Sequence, residues 1–298
     1  MAWPTGATRL AGVIGDPVRH SLSPALHNAA FSALGLDWAY MAFPVPAGRA
    51  RDALVGAAAL GIDGLSVTMP HKSAVAEALD RCSPTAAMLG AVNTVVRRHD
   101  ELVGESTDGQ GFLDGLRSEP GFDPSGRRCV VIGAGGAARA VVLALAQAGA
   151  AEIVVVNRTL DRGRAAAALA GAVGRTGQAA EIGDMDLVVH ATPVGMTAGS
   201  TSAGSTSAGA TSVDASTDQA PLLEPDRFGP GQVVVDLVYH PATTALIEAA
   251  RRQGATAVNG MGMLVHQAAL AFELWTGRDA PLAVMRAAAT EVLQSGGA

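Results

Sequence analysis

The stretch that most restricts the fold runs from Cys129 to Arg158 and reads CVVIGAGGAARAVVLALAQAGAAEIVVVNR. It begins with an apolar run, passes through a glycine-rich turn into a helical pattern, and ends in a second apolar run. This order predicts a strand, a tight turn, a helix and a parallel strand, the unit from which doubly wound sheets are built. The chain is therefore expected to adopt an α/β fold, because parallel strands need helices on both faces of their sheet.

The turn within this unit, VVIGAGGAARA, fits the GxGxxA pattern of a dinucleotide-binding site. Gly133 permits the sharp turn, Gly135 permits close approach of a pyrophosphate, and Ala138 permits close packing of helix on sheet. The free N–H groups at the helix N-terminus suit the phosphates. We expect the cofactor to contact the turn residues, which are Gly133, Ala134, Gly135, Gly136 and Ala137. A purely structural turn is the alternative that the pattern leaves open.

The second apolar run, EIVVV, leads into Asn157, Arg158 and Thr159, with Arg162 one turn later. An NAD site usually has Asp or Glu at this point to bind both ribose hydroxyls. Here Asn157 is uncharged, and the guanidinium of Arg158 suits a 2′-phosphate. We expect NADP(H) as the cofactor, with ordinary surface charges as the alternative interpretation of the two arginines.

Composition argues against several other classes of protein. The net charge of −6 is unfavourable for a nucleic-acid surface, which needs clustered Lys and Arg. The sequence has neither an apolar run of about 18 residues nor a signal-peptide pattern, so we expect no membrane contact. Two cysteines, Cys82 and Cys129, and seven histidines form no metal-ligand pattern, so we expect no metal. These features favour a reducing, cytoplasmic location.

Strand and helix patterns also alternate before the glycine-rich unit. Apolar runs predict three strands, at 10–15, 38–45 and 64–70. A helix is predicted over 23–35, with Ser23 as its N-cap and Gly35 at its C′ position. Residues 91–111 predict a β-hairpin that leads into a turn-rich hinge. This alternation predicts a second, mostly parallel sheet.

The second half of the chain continues the same alternation with one interruption. The segments DLVVHATPVGM and QVVVDLVYHP each predict a strand that runs into a loop, and the last 37 residues or so have helical periodicity. Between the two strands, residues 197–220 contain the tandem repeat STSAGSTSAG. Such a tract has little to bury, so we expect a disordered surface insertion there.

In the stretch GLSVTMPHK, a proline ends an alternating strand pattern, and Lys72 follows shortly after it. A lysine after a strand is usually a solvated charge, and this residue taken alone favours that interpretation. Its neighbourhood in the chain indicates otherwise. Eight segments of the chain occur in the order of the motifs of one known family: GVIGDPVRHSLSPALHNAAF, LSVTMPHK, GAVNTV, ESTDGQGF, GAGGAARA, NRT, ATPVGM and GMGMLVHQAALAFELWTG. That family is the shikimate dehydrogenase family, which the chain resembles over nearly its whole length outside the insertion.

The resemblance implies an activity and a set of site residues. The family reaction interconverts 3-dehydroshikimate and shikimate by hydride transfer between a nicotinamide and a ring carbon. The resemblance assigns acid–base catalysis to Lys72 and Asp108, since a lysine can donate to the developing alkoxide and an aspartate can accept a hydrogen bond from the same hydroxyl. It assigns substrate binding to Ser21, Ser23, Thr68, Asn93, Tyr239 and Gln267. It places Thr192, Gly260 and Met263 beside the cofactor.

Three positions depart from the family pattern. Ser66 and Ser106 stand where the family usually has Asn, and His190 stands where Asn is common. A serine keeps an oxygen that donates and accepts but loses the reach of an amide. We therefore keep quinate or an amino-substituted shikimate as alternative substrates. A non-catalytic NADP-binding module is a third hypothesis, although it would have no use for both Lys72 and Asp108.

The resemblance also implies the domain organisation. A discontinuous substrate-binding domain is expected over 1–108 and 261–298, and a doubly wound Rossmann domain that binds NADP over 109–260. The site would lie in the cleft between them, a preferred location for ligands. We also expect a small-molecule substrate, no binding to nucleic acid or to a membrane, and a monomer or homodimer.

Overall fold

The computed structural model describes residues 3–99, 101–195 and 227–295. The strands of this part of the chain are β1 (Arg9–Gly15), β2 (Trp38–Pro44), β3 (Gly64–Val67), β4 (Arg81–Cys82), β5 (Thr94–Arg98), β6 (Glu101–Glu105), β7 (Arg128–Ile132), β8 (Glu152–Val156), β9 (Gly174–Thr176), β10 (Leu187–His190), β11 (Val233–Asp236) and β12 (Thr256–Asn259). The helices are α1 (Ser23–Ala33), α2 (Ala50–Ala59), α3 (Lys72–Ala78), α4 (Pro84–Leu89), α5 (Asp108–Ser118), α6 (Gly136–Gln147), α7 (Leu160–Ala167), α8 (Ala245–Arg252), α9 (Met261–Thr276) and α10 (Leu282–Gln294). Two 3₁₀ helices follow α7, at Ala168–Val173 and Ala179–Asp184.

The first sheet has six strands in the order β2-β1-β3-β5-β6-β4. Strand β1 is parallel to both β2 and β3, whereas β5 is antiparallel to β3 and to β6. The predicted hairpin is confirmed as the β5–β6 pair. The carboxyl end of β3 therefore lies beside the start of β5, which brings residues after 67 next to residues before 94.

The second sheet has six parallel strands in the order β12-β11-β10-β7-β8-β9. The chain winds outward from β7 in one direction as far as β9 and then in the other as far as β12. This is the doubly wound order, and the strand order reverses between β7 and β10. The predicted α/β fold class is confirmed.

Each sheet is covered on both faces by apolar side chains. In β7, for example, Cys129 and Val131 belong to one buried cluster and Val130 and Ile132 to the cluster on the opposite face. A strand buried on both faces must be apolar at every position, and this explains the continuous run that predicted it. In the first sheet Val13 likewise packs on the opposite side from Ile14.

The C-terminal helices return to the first sheet. Val265, Phe272 and Trp275 of α9, and Met285 of α10, share a buried cluster with β1 and α1. Helix α5, by contrast, contributes Phe112 and its neighbours to the core of the second sheet. Helices α5 and α9 pack on each other, so they lie where the two sheets meet.

Three local predictions have different outcomes. Gly35 has φ +63° directly after the C-cap of α1, so its C′ position is confirmed. Ser23 as an N-cap is wrong, because it is the first helical residue and its own N–H donates to the Ser21 hydroxyl over 3.2 Å. The predicted hinge at the end of 91–111 is wrong from Asp108 onward, because α5 begins there. The insertion predicted at 197–220 lies outside the described residues. Within the described residues, no helix is long and apolar enough to cross a membrane.

Gly64 supplies a test of how tightly α9 packs on the first sheet. A Cβ on Gly64 would lie 2.4 Å from the Trp275 Nε1, and this indole donates to the Val95 carbonyl over 3.0 Å. Gly64→Ala should therefore lower the free energy of unfolding by about 1–3 kcal/mol through overpacking. Gly56→Ala is the matched control, because a Cβ there meets nothing within 4 Å and the site is helical. The control should be stabilised by about 0.5–1 kcal/mol.

Urea denaturation of both variants measures the difference. A Gly64→Ala variant as stable as the parent chain would show that the indole can shift without cost, contrary to the packing described above.

Candidate active site

Lys72 and Asp108 form an ion pair, with the lysine Nζ 2.5 Å from the aspartate Oδ2. Each is the first residue of a helix: Lys72 opens α3 just beyond β3, and Asp108 opens α5 just beyond β6. The two side chains are 20% and 8% exposed. A carboxylate at a helix N-terminus is stabilised by the helix dipole. The pair is therefore a largely buried acid–base couple with a small opening to solvent.

Asn93 holds the carboxylate from its other side. The Asn93 Nδ2 donates to the Asp108 Oδ1 over 2.8 Å and to the Thr107 hydroxyl over 2.9 Å. The Thr107 N–H in turn donates to the Asn93 Oδ1 over 2.8 Å. All three residues are buried. The amide therefore fixes both the backbone before α5 and the orientation of the carboxylate.

Gln267 reaches the same group from α9. Its Oε1 lies 3.5 Å from the Asn93 Nδ2, and its Nε2 donates to the Leu264 carbonyl over 2.9 Å. This approach requires Gly111 in α5, because a Cβ there would lie 2.5 Å from the Gln267 backbone nitrogen. Close packing of α5 on α9 thus brings the fourth polar side chain to the couple.

A second cluster is composed of hydroxyl groups. The Ser21 hydroxyl donates to the Ser23 Oγ over 3.2 Å. The Tyr40 hydroxyl donates to the Ser66 Oγ over 2.7 Å and also interacts with Ser23. Burial raises the pKa of Tyr40, so the phenol stays protonated and acts as a donor. Tyr40 was not among the predicted site residues, because nothing local to the WAYMAF segment shows which residue it meets two strands away.

His27 lies beneath this cluster. Its ring stacks on Tyr40 with centroids 4.4 Å apart and lies 5.0 Å from the Trp275 ring. Neither ring nitrogen has a hydrogen-bond partner, and the side chain is fully buried. Desolvation lowers the pKa of His27 from its ordinary value of 6.5 to about 3. The residue is therefore a neutral aromatic support for Tyr40.

The glycine-rich turn lies at the reversal point of the second sheet. Gly133 has φ +118°, and a Cβ on it would lie 2.7 Å from the Ala191 carbonyl oxygen. A Cβ on Gly135 would meet nothing within 4 Å, so this stretch of backbone is open to a ligand. A Cβ on Gly136 would lie 3.4 Å from the Cδ of Lys72. Ala134 and Ala137 are half-buried, and the turn therefore borders the ion pair directly.

The residues predicted to bind the 2′-phosphate follow β8, the strand next to β7. Arg158 and Arg162 are exposed, and among the described residues neither has an ion-pair or hydrogen-bond partner. Thr159 is exposed as the N-cap of α7, and Asn157 donates to the Thr159 carbonyl over 2.8 Å. The residues present fit a phosphorylated dinucleotide, because an open glycine turn and two free guanidinium groups share one edge of the sheet.

The other predicted residues lie around the same edge. Thr192 follows β10, and a Cβ on Gly133 would lie 3.3 Å from its methyl group. A Cβ on Gly260 would lie 2.1 Å from the Leu237 carbonyl oxygen, so this position requires glycine. Met263 is half-buried beside α5. Tyr239 is also half-buried, and burial raises its pKa.

Thr68 follows β3, and its methyl group would meet a Cβ placed on Gly15 at 2.4 Å. Described contacts thus join Lys72, Asp108, Asn93 and Gln267, and separately Ser21 and Ser23. They do not join Thr68 or Tyr239 to either group. Two serines stand where the motifs usually have Asn. Ser66 touches the hydroxyl cluster, whereas Ser106 lines a separate cleft of about 120 Å³ between α4, α5 and α6.

One signal in the sequence singles out Lys72 more sharply than its motif does. It is the only lysine among the 298 residues, and the other 20 members of the Lys and Arg total of 21 are arginines. An arginine stays protonated in proteins, whereas a lysine can give up its proton. The arrangement can therefore transfer a proton to or from an oxygen atom in the opening beside Gly136.

Family comparisons cover most of the chain. Residues 13–95 match the shikimate dehydrogenase substrate binding domain. Residues 119–218 match shikimate / quinate 5-dehydrogenase, and residues 260–290 match the shikimate 5′-dehydrogenase C-terminal domain.

Two curated relatives are similar over nearly the full length. The shikimate dehydrogenase (NADP(+)) of Methanopyrus kandleri is 48% identical over 96% of this chain and 97% of the relative. The protein of the same name from Moorella thermoacetica is 46% identical over 94% of this chain and 92% of the relative.

Solved structures share the fold. A shikimate dehydrogenase in complex with NADP+ has a TM-score of 0.86 at 34% identity, with 98% of both chains covered. Shikimate 5-dehydrogenase from Thermus thermophilus, in complex with NADP(H) and shikimate, has a TM-score of 0.83 at 36% identity over 96% of this chain and all of the other. A quinate dehydrogenase from Corynebacterium glutamicum, in complex with NAD, has a TM-score of 0.81 at 30% identity over 95% of this chain and 99% of the other.

The neutral state of His27 predicts a contribution to acid sensitivity. Its pKa of about 3 in the folded chain lies below the ordinary value of 6.5, so below pH 6.5 the unfolded chain binds a proton that the folded chain does not. This contribution to stability is complete above pH 6.5 and is lost as the pH falls toward 3, at up to about 1.4 kcal/mol per pH unit. His27→Phe, which keeps an aromatic ring on Tyr40, should show a shallower loss.

Urea titrations between pH 7 and pH 4 measure the difference in slope. His99→Asn is the control, because His99 is exposed in the β5–β6 turn with φ +58°, a conformation that Asn tolerates. Equal slopes for His27→Phe and the parent chain would contradict a neutral buried imidazole.

Proposed function

Because the chain belongs to the shikimate dehydrogenase family, we propose that it interconverts 3-dehydroshikimate and shikimate with NADP(H), using Lys72 and Asp108 as its acid–base pair. The observation that carries this proposal is the 2.5 Å ion pair beside the glycine-rich turn. The proposed reaction requires a proton donor within about 2.6–3.2 Å of the reacting oxygen.

The chain's own residues move the proton. In the direction of reduction, the Lys72 Nζ donates a proton to the carbonyl oxygen of the substrate as that oxygen gains negative charge. Asp108 accepts a hydrogen bond from the resulting hydroxyl and holds the amine in line with it. Asn93 keeps the carboxylate oriented throughout, since its amide binds the oxygen that the lysine does not. NADPH, when bound, supplies the hydride to the adjacent ring carbon.

The cofactor would be held along one edge of the second sheet. The open backbone from Gly133 to Ala137 suits the pyrophosphate, and the N-terminus of α6 adds free N–H groups. Arg158 and Arg162 suit the 2′-phosphate, with Asn157 and Thr159 beside them. Thr192, Gly260 and Met263 would border the nicotinamide end. The closeness of Gly136 to Lys72 supports this direction of binding.

Substrate binding is assigned to neutral polar groups. Ser21 and Ser23 would bind the carboxylate, since their hydroxyls lie together at the start of α1. Asn93 and Gln267 would bind ring hydroxyls beside the ion pair, with the Asn93 Nδ2 exchanging the Thr107 hydroxyl for a substrate hydroxyl while it keeps its bond to Asp108. Thr68 and Tyr239 would line the remainder of the pocket.

We further infer that the chain is divided into a substrate-binding part, 1–108 plus 261–298, and an NADP-binding part, 109–260. The packing of α9 and α10 on the first sheet, and of α5 on the second, supports this division. Closure of the two parts on each other would exclude water from the hydride step.

Quinate or an amino-substituted shikimate is the second candidate substrate, because Ser66 stands where the family usually has Asn and is held by the Tyr40 hydroxyl. The Ser66 oxygen accepts the phenol proton over 2.7 Å, which leaves its own proton and one lone pair for a ligand. Spectrophotometric rates with shikimate, quinate and aminoshikimate, each with NADP+ and with NAD+, decide between them. A higher kcat/KM for quinate or aminoshikimate would replace the first proposal, and no turnover with any of them would favour a non-catalytic NADP-binding module.

Replacing Lys72 tests the acid–base assignment. Lys72→Ala should lower kcat for shikimate oxidation by about 10²–10⁴-fold, since it removes general acid–base catalysis, with little change in shikimate binding. A small primary amine added to the solution should restore part of the rate. Turnover equal to that of the parent chain would make Lys72 a simple surface charge.

A spectroscopic control uses the uniqueness of this lysine. Protein labelled with ¹⁵N-lysine has one lysine side-chain signal, which should shift on addition of shikimate and should be absent from Lys72→Ala. An unshifted signal in a chain that binds shikimate would place the amine away from the substrate.

Replacing Arg158 tests the cofactor assignment. Arg158→Ala should raise the KM for NADP+ by about 10–100-fold, the value of a charge-assisted hydrogen-bond pair, and the KM for NAD+ far less. Arg164→Ala is the matched control, because Arg164 lies on α7, the helix that directly follows Arg158, and pairs with Asp161. Steady-state kinetics with both cofactors measure the effect, and parallel shifts of the two KM values would contradict a 2′-phosphate site.

A further inference from the structure

His190 joins two strands at the point where the order of the second sheet reverses. It is the last residue of β10 and pairs in the ladder with Asp236, the last residue of β11. The His190 Nδ1 lies 3.0 Å from the Asp236 Oδ1, and its Nε2 lies 2.6 Å from the Thr192 Oγ1. The imidazole therefore bridges a carboxylate and a hydroxyl, a role that an asparagine at this position is too short to fill.

Asp236 determines which ring nitrogen carries the proton. The carboxylate is 1% exposed and also accepts hydrogen bonds from the Thr244 hydroxyl, over 2.6 Å, and from the Val238 N–H, over 3.1 Å. An ionised carboxylate only accepts, so the Nδ1 of His190 must be the donor. When the imidazole is neutral, its Nε2 is then an acceptor.

The Thr192 hydroxyl has only one proton to donate. Its oxygen accepts the Val194 N–H over 3.3 Å and faces the His190 Nε2. With a neutral imidazole, the threonine proton is directed to the Nε2. The threonine oxygen, which already accepts the Val194 N–H, then keeps one lone pair for a hydrogen-bond donor of a ligand.

Thr192 lies at the cofactor edge, beside Gly133 of the glycine-rich turn. A Cβ on Gly133 would meet the Thr192 methyl group at 3.3 Å, and the Ala191 N–H donates to the Ile132 carbonyl at the end of β7 over 2.8 Å. Ligands of doubly wound sheets bind at this reversal of strand order.

We propose that His190 is a positioning residue that, oriented by Asp236, accepts the Thr192 proton in a hydrogen bond and so presents the Thr192 oxygen as an acceptor to an N–H or O–H group of the bound cofactor. The proposal rests on the proposed use of NADP(H). Because the threonine acts together with the histidine, removal of either side chain should weaken cofactor binding, and removal of both should cost little more than removal of one.

Asp236 is the acidic group in contact with His190. Strand β7 presents Ile132 beside it in the ladder, and the loop after β11 carries Tyr239 and His240. Within the part of the chain that the structure describes, Asp236 is the titratable group hydrogen-bonded to His190.

The first test uses the chain without cofactor. With ¹⁵N-histidine labelling, the neutral form of His190 should show a protonated Nδ1 and an Nε2 that accepts a hydrogen bond. Thr192→Val, which removes only the hydroxyl, should shift the Nε2 signal and leave the Nδ1 signal in place. A neutral ring protonated at Nε2 would overturn the proposal.

The second test measures the dissociation constant of NADP+ by quenching of intrinsic fluorescence. Thr192→Val and His190→Asn should each weaken binding by about 3- to 10-fold, the value of one hydrogen bond. The double variant should bind about as weakly as the weaker of the two single variants, because the two side chains act as one unit. His99→Asn is the control for loss of an unrelated imidazole and should bind like the parent chain.

The outcomes separate this proposal from the proposed function. If His190→Asn does not fold, Thr192→Val and the ¹⁵N signals provide the comparison. Unchanged NADP+ affinity in Thr192→Val, or fully additive losses in the double variant, would overturn the role of His190. The expected losses in a chain that does not oxidise shikimate would support His190 and contradict the proposed function. A chain that does not bind NADP+ would overturn both.

Discussion

The pairing of the Lys72 ammonium with the Asp108 carboxylate is the interaction on which the rest of the site depends. Two charges removed from most of their water are costly unless hydrogen bonds replace the lost solvation. On the carboxylate, the Asn93 amide and the N-terminus of α5 provide that replacement. On the amine, Asp108 is the hydrogen-bond partner among the described residues, so the remaining N–H groups are free for a ligand. This imbalance supports the proposed transfer of a proton between the amine and a ligand in the opening.

The same ion pair constrains how the two sheets meet. Lys72 follows β3 of the first sheet, whereas Asp108 opens a helix whose apolar side packs on the second sheet. The lysine stem lies next to Gly136, at the reversal of strand order where a doubly wound sheet binds its ligand. One contact therefore joins the proposed proton donor to the edge proposed to hold the cofactor. The Thr192–His190 bridge borders that edge from β10, so two independent hydrogen-bond systems face the same glycine-rich turn.

Much of the fold could be predicted from the sequence, because parallel strands buried on both faces are continuous apolar runs and the glycine turn has a distinctive pattern. The start of α5 could not, because ESTDGQGF has turn composition and becomes helical through the packing of Phe112 on the second sheet. In the site, the motifs predicted Lys72 and Asp108 as a pair, and the structure brings the two together as an ion pair. The Tyr40–Ser66 contact escaped prediction because it joins β2 to β3 across the intervening β1. Such pairings depend on strand order and register, which no local pattern records.

The choice of cation is the strongest chemical argument for what the site does. Arginine provides the positive charge of the other ion pairs with acidic residues among the described residues, apart from the His190 contact with Asp236. An arginine at position 72 would pair with Asp108 as well or better, since its planar fork suits a carboxylate. It would not transfer a proton, because a guanidinium keeps its proton throughout the pH range in which proteins are folded. The chain departs from arginine at the position where a cation meets a buried carboxylate beside the glycine-rich turn, and there the proposed chemistry requires a proton that can leave.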